Sequence, residues 1–153
     1  VIGAREVEIA PRGSLTYVAT DLFGAFFDTT RAYRFGPPAH DATVARLVAA
    51  DGSTLAEAVH FPLGRGCGRR PCGLAARIEG SEGEGWRLVV STEALAASVT
   101  ILDENFHAED DGFHLPPGER VLRLLPRPAA EAGARPDCEI RALNASDAAR
   151  ARA

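Results

Sequence analysis

The residues best placed to do chemistry are the carboxylates of one run, Asp103, Glu104, Glu109, Asp110 and Asp111, with His107 and His114 beside them. Hydrolysis of a glycosidic bond needs two carboxyl groups about 5 to 10 Å apart across a sugar, one of them protonated. These five lie in one local stretch, and no motif separates an acid from a nucleophile. Calcium takes roughly six to eight oxygens from a loop of alternating ligands, and the Asp-x-Asp-x-Asp-Gly layout is not found here. Zinc takes about four ligands, toward which His107 and His114 offer only themselves. The run reads as a solvated charged turn, with no catalytic residue, metal or cofactor expected.

The cysteines offer a second chemistry. Cys67-Gly68-Arg69-Arg70-Pro71-Cys72 has a longer spacer than a Cys-x-x-Cys redox motif, and Cys138 stands far from it. A structural zinc site has a second ligand pair, so the expectation is reduced thiols in a loop. Arg65, Arg69 and Arg70 have the donors to hold a phosphate, but an exposed Arg-Gly loop also serves solubility alone. Aromatic residues offer a third. Trp86, Tyr17, Tyr33, Phe106 and Phe113 would stack on the apolar face of a sugar if exposed together, which makes Trp86 and Phe106 candidate carbohydrate contacts. Their positions within apolar alternation predict core instead.

The elements that must position these groups read as short strands. Val99 and Ile101 lead into the acidic run, Phe113 and Leu115 alternate with Gly112 and His114, and Val121, Leu122 and Leu124 form a following strand. Pro116-Pro117-Gly118 fixes two φ angles and adds one residue that tolerates φ > 0, so the chain turns there. Upstream, Glu6–Ala10 and Ser14–Phe23 read as two strands, and Gly24–Phe35 is an aromatic-rich stretch of mixed signals. Ala42–Ala49 and Thr54–Phe61 flank Asp51-Gly52, a strong hairpin signal that outweighs the helix propensity of their Ala and Leu residues. Leu74–Glu79 and Trp86–Ser91 form the next pair. Glu93–Ala97 is expected to make one helical turn, Pro126–Asp137 a mobile connector, and Cys138–Leu143 a last strand. The fold class is therefore all-β, an antiparallel sandwich of about eight or nine strands. Residues 1–145 are expected to form a single domain and residues 146–153 a disordered tail.

Asp110-Asp111-Gly112-Phe113-His114-Leu115-Pro116-Pro117-Gly118-Glu119 resembles the segment Asp-Asn-Tyr-Phe-Asp-Leu-Leu-Pro-Gly-Glu near the C-terminus of β-mannosidases of glycoside hydrolase family 2. Asp110, Phe113, Leu115, Pro117, Gly118 and Glu119 match; Asp111, Gly112 and His114 depart from the pattern, as does Pro116. Asp28–Pro38 and Ile140–Ala145 resemble the same region more loosely. The resemblance implies an immunoglobulin-like sandwich that packs beside a catalytic (β/α)₈ barrel. It implies an accessory role in an enzyme that hydrolyses terminal β-mannosides with two glutamates of that barrel. The implied partners are the barrel and other domains of the same polypeptide; the alternative is a module that binds β-mannoside glycans through exposed aromatics.

At 153 residues the chain can bury a core without staples but is too short for such a barrel, which takes about 250. It begins at Val1 and holds no Met, from which an excised domain is expected. All 17 basic residues are Arg, the mark of a GC-rich, bacterial genome. A net charge of −4 with scattered Arg argues against a nucleic-acid partner, and no apolar run is long enough to span a membrane as a helix. The compartment stays open, with the bacterial cytoplasm the favoured setting.

Overall fold

The computed structural model describes residues 3–25, 27–32, 36–64, 66 and 68–153. The chain is all-β and antiparallel, as expected, with ten strands among these residues. It divides into two compact units, Val1–Cys67 and Gly68–Ala153, rather than forming one domain over 1–145.

The sandwich is the second unit. Its first sheet has the order β3 (Ala75–Ser81), β4 (Gly85–Thr92), β8 (Gly118–Pro126), β6 (Phe106–Ala108). The second has the order β10 (Ala149–Arg152), β9 (Asp137–Arg141), β5 (Ala96–Leu102), β7 (Phe113–Leu115). Alternation along each strand decides which side chains face inward. On β4 and β8 the cross-strand neighbours Leu88 and Leu122 are at most 1% exposed, and Val90, Leu124 and Phe106 join them from the same sheet. Val99, Ile101, Phe113, Leu115, Cys138 and Ile140 meet them from the other. Each such large apolar side chain contributes about 1.5–3 kcal/mol by leaving water, which is how two thin sheets cohere.

Turn chemistry sets the registers. Gly80 and Gly85 both take positive φ (+103° and +84°) at the ends of the β3–β4 turn, where Glu84 N–H donates to the Ser81 carbonyl at 3.2 Å. Strand β5 carries a bulge between Ala96 and Val99, with Ser98 in the left-handed region at φ +48°. Leu122 and Leu124 fall within β8, which begins at Gly118 directly after the Pro116-Pro117 corner.

The first unit contains the predicted hairpin. β1 (Thr43–Val48) pairs with β2 (Thr54–His60) from Thr43↔His60 onward. Asp51 Oδ1 accepts Ser53 N–H at 2.9 Å and Gly52 has φ +86°, the local geometry that Asp-Gly favours. The strands expected over Glu6–Ala10 and Ser14–Phe23 do not form; a 3₁₀ turn at Ala19–Leu22 occupies the second. Among the described residues no neighbouring backbone completes a ladder with either stretch. Around the loosely matching stretch Asp28–Pro38, Asp28 Oδ1 accepts the N–H groups of Thr30 and Arg31, each at 3.0 Å. Tyr33, Arg34 and Phe35 lie outside the described residues, as do Phe26, Arg65 and Cys67.

Three more expectations change. Glu93–Ala97 is a bend leading into β5 instead of a helical turn, because Thr92 Oγ1 donates to the Cys72 carbonyl at 2.8 Å and the chain extends from Ala96. Residues 127–136 form turns tied down by Arg127 N–H to the Asn105 carbonyl at 2.7 Å and by Arg127 Nε to the Phe106 carbonyl at 2.9 Å. Residues 146–153 are not a disordered tail: Ala149–Arg152 pairs with β9, Ala149 opposite Ile140 and Ala151 opposite Cys138. What the apolar pattern lacked there is supplied by polar contacts, which no local reading of Ala and Arg weighs.

Candidate functional site

The segment from Asp103 to Pro117 crosses between the sheets, through β6 and β7, before β8 begins. Its carboxylates are committed to this path. Asp103 Oδ1 accepts the N–H groups of Asn105 and Phe106 at 2.8 and 2.9 Å. Its Oδ2 accepts Asp137 N–H at 2.7 Å and the Cys138 thiol at 3.4 Å. Glu109 receives both the backbone N–H and the Nε of Arg123, at 3.0 and 2.7 Å, and these bonds hold its carboxyl below the usual carboxylate range. Asp111 Oδ1 accepts Ile101 N–H at 2.9 Å, and Gly112 N–H returns to the Val99 carbonyl at 2.8 Å. The turn is charged and its Glu109 and Asp111 are exposed, as expected of a solvated run, while they and Asp103 also anchor backbone N–H groups. Glu104 and His107 are exposed.

The six matching residues of the family segment meet at the β7–β8 corner. Phe113 and Leu115 are buried in the core at 9% and 5% exposure. Asp110 pairs with Arg120, whose guanidinium lies 4.3 Å from the centre of the Phe113 ring, so one cation serves a carboxylate and an aromatic face. Pro117 and Gly118 make the turn, with Gly118 at φ +136°. Glu119 pairs across the sheet with Arg77 at 3.3 Å. Of the departures, Asp111 fastens β5 as above. Gly112 takes φ +73°, and His114 Nδ1 accepts the N–H of the bulged Ser98 at 3.1 Å, which places that ring's proton on Nε2.

Trp86 is half-buried against the core, and Phe106 is 5% exposed. Together with Phe113 they line the interior, as their alternation predicts, and do not form an exposed stacking platform. Tyr17 belongs to the other unit and carries the Arg5 guanidinium 4.7 Å from its ring centre. Among the described residues no three His, Cys, Asp or Glu side chains gather as metal ligands do. Cys138 is fully buried, and burial, helped by the neighbouring Asp103 carboxylate, pushes its thiol up to about 12, far from a nucleophile's range. Cys72 is also buried, its thiol 3.5 Å from the Leu95 carbonyl.

Comparison with family models, with curated proteins and with solved structures gave no match.

Two polar groups that matter most were not picked out from sequence. Asn144, 4% exposed, accepts Ala97 N–H through Oδ1 at 2.7 Å and donates through Nδ2 to the Leu95 carbonyl at 2.8 Å. Asp147 accepts Cys72 N–H at 2.9 Å and Leu74 N–H at 3.0 Å, bonds that hold its carboxyl below its ordinary range. The available signal for Asn144 was a polar amide set among Ala142, Leu143 and Ala145. A general acid needs its pKa raised by an apolar pocket. Glu109, Asp137 and Asp147 are instead all lowered by the donors they hold.

Proposed function

We propose that this chain is a non-catalytic accessory domain of a β-mannosidase-like glycoside hydrolase, packing against and orienting a catalytic barrel of the same polypeptide. The observation that carries the reading is the part played by the segment that resembles that family. Its six matching residues are spent on core, corner and ion pairs around one cross-over, the use expected of a scaffold motif. Strand order adds support. Lettered in chain order with β7 omitted, β3-β4-β8-β6 reads A-B-E-D and β10-β9-β5 reads G-F-C, the arrangement of a constant-type immunoglobulin sandwich, with β7 added beside C. The reading also accounts for Val44, Leu47, Val48 and Leu55, which are 38–65% exposed on a two-stranded sheet that would gain by being covered.

The test is an amide ¹H–¹⁵N spectrum of the chain titrated with mannose and short β-mannan oligosaccharides to millimolar concentration. Unchanged peaks are the expected result. Saturable shifts clustered at Trp86 or along Phe106–His114 would overturn the reading and make the chain a carbohydrate-binding module.

A further inference from the structure

The first unit lacks what holds the second together. Among its described residues only Ala32 is buried, and the buried apolar cluster lies wholly between Cys72 and Ala151. Ile9, Leu15, Val18, Leu47, Val48 and Leu55 are each 45–65% exposed. A unit that leaves its large apolar side chains in water has little to set against the entropy of folding. The β1–β2 sheet shows what is missing. Each strand pairs only with the other, so each keeps one open edge, and a lone two-stranded sheet is marginal in water. Ala45 opposite Ala58 and Leu47 opposite Ala56 make one face without a charge, and all four are exposed. The other face sets Val44 and Val59 beside the Arg46–Glu57 ion pair. The hairpin is fastened at its base, where Thr43 Oγ1 donates to the Thr29 carbonyl at 3.0 Å and His60 Nε2 to the Thr30 carbonyl at 2.9 Å.

Edges in the sandwich are closed to further strands. β6 and β7 have three residues each, β10 reads Ala-Arg-Ala-Arg, and β10 in turn lies beside β3. Short, charged or covered edges are how sheets avoid unwanted pairing. The hairpin has none of these devices. Its strands have six and seven residues, its Arg46 and Glu57 neutralise each other, and its one irregularity lies beside the turn, between Leu47 and Val48. Such an edge is suited to take a strand. Area decides whose strand it is. One hairpin face, about 20 Å long and two strands wide, offers roughly 200 Å². A stable interface between free chains buries about 800 Å² on each partner. A second copy laid on one face falls well short of that, and a two-fold contact leaves the other face in water. A domain joined to this chain by its own backbone needs far less area, because the tether keeps its local concentration near millimolar.

We propose that residues 3–64 are one part of a second β-domain, completed by strands of a neighbouring domain of the same polypeptide. Those strands extend the β1–β2 sheet at an open edge and lay an apolar layer on the Ala45, Leu47, Ala56 and Ala58 face. The proposal rests on the reading that the chain works beside other domains of one polypeptide. Three alanines in that face leave room for bulky side chains, so the covering layer presents residues such as Leu, Ile or Phe, as close packing requires.

The experiment compares amide hydrogen exchange in the 153-residue chain with that in the complete translated product of its gene. In the 153-residue chain, β1 and β2 amides are expected to exchange within about tenfold of an unstructured peptide, while β4 and β8 stay protected. In the complete product, β1 and β2 should slow by at least about a hundredfold. Ala58→Arg, on the uncharged face, should cancel that slowing and leave the Trp86-reported unfolding of the 153-residue chain unchanged. Protection of β1 and β2 equal to that of β4 and β8 in the 153-residue chain overturns the unfinished domain. Fast exchange in both proteins, or a complete product no longer than this chain, overturns the tethered partner. Slowing that appears only as the 153-residue chain dimerises in light scattering gives the cover to a second copy and overturns it too. Slowing that survives Ala58→Arg overturns the assigned face. Sugar-induced shifts at Trp86 would overturn the accessory reading and leave these exchange rates as they are.

Discussion

Replacing Asn144 with alanine tests whether one buried amide clasps the sandwich. The side chain is 4% exposed and serves two backbone groups, Ala97 N–H and the Leu95 carbonyl. A buried polar group that loses its partner costs about 1–3 kcal/mol. Ala97 is itself 3% exposed, so its N–H bears the upper part of that range, while Leu95 is half-buried and water relieves part of the carbonyl's loss. The sum is about 3 kcal/mol. With a urea slope of about 1.5 kcal/mol per M, the midpoint falls by about 2 M. Trp86 is the lone tryptophan and lies in β4, so its fluorescence reports unfolding of the Gly68–Ala153 unit alone. Asn144→Asp should cost at least as much, because it sets a carboxylate oxygen against the Leu95 carbonyl where a donor stood. Leu102→Ser, at a position 44% exposed, is the control and should shift stability by less than about 0.5 kcal/mol. A loss for Asn144→Ala no larger than the control's would refute the clasp.

Other positions give sharper yes-or-no results. Arg150 and Arg152 lower the Asp137 pKa from 3.8 to about 2, so its stabilising contribution is present above pH 4 or so and is lost as pH falls through about 2. Acid titration followed by β10 amide shifts should show that step in the wild type and not in Asp137→Asn. The Cys138 thiol, pushed up to about 12, should resist a thiol reagent at pH 8 in the folded protein and react promptly in denaturant; labelling in the folded state at the denatured rate would contradict its burial. Gly80→Ala should destabilise by about 2 kcal/mol or more, since φ is +103° and the added methyl would fall on the Gly85 carbonyl oxygen. Gly83→Ala in the same turn meets open space and should be near neutral by thermal melting.

The parts of the fold legible in sequence are those whose causes are local. Asp51-Gly52 specifies its own turn, and the hairpin follows. The apolar residues of the strands expected over Trp86–Ser91 and Val121–Leu124 include Leu88, Val89, Val90, Leu122 and Leu124, and these are buried. Glu6–Ala10 shows the limit. Its alternation is as good as that of a real strand, but a strand also needs a partner backbone, and that is a tertiary fact. β10 shows the converse: Ala-Arg-Ala-Arg has little strand preference, yet contacts with Asp137 and the Cys72–Leu74 amides place it. At the candidate site the residue types were readable but their use was not. That Asp103 and Asp111 also serve backbone N–H groups, up to 34 positions away, shows only once those groups are brought beside them.

The Asp103 carboxylate carries a consequence for how the sandwich is assembled in time. Its first oxygen is engaged within three residues, a loop that closes in the unfolded chain on the timescale of elementary turn formation. The second oxygen of the same carboxylate holds Asp137 and Cys138, 34 and 35 residues away. Loop closure over that span is the slow, entropically expensive part of building a sheet pair. A receptor already oriented by its own short loop removes one search from that step. The cross-over is thus a landing point on which the start of β9 is registered.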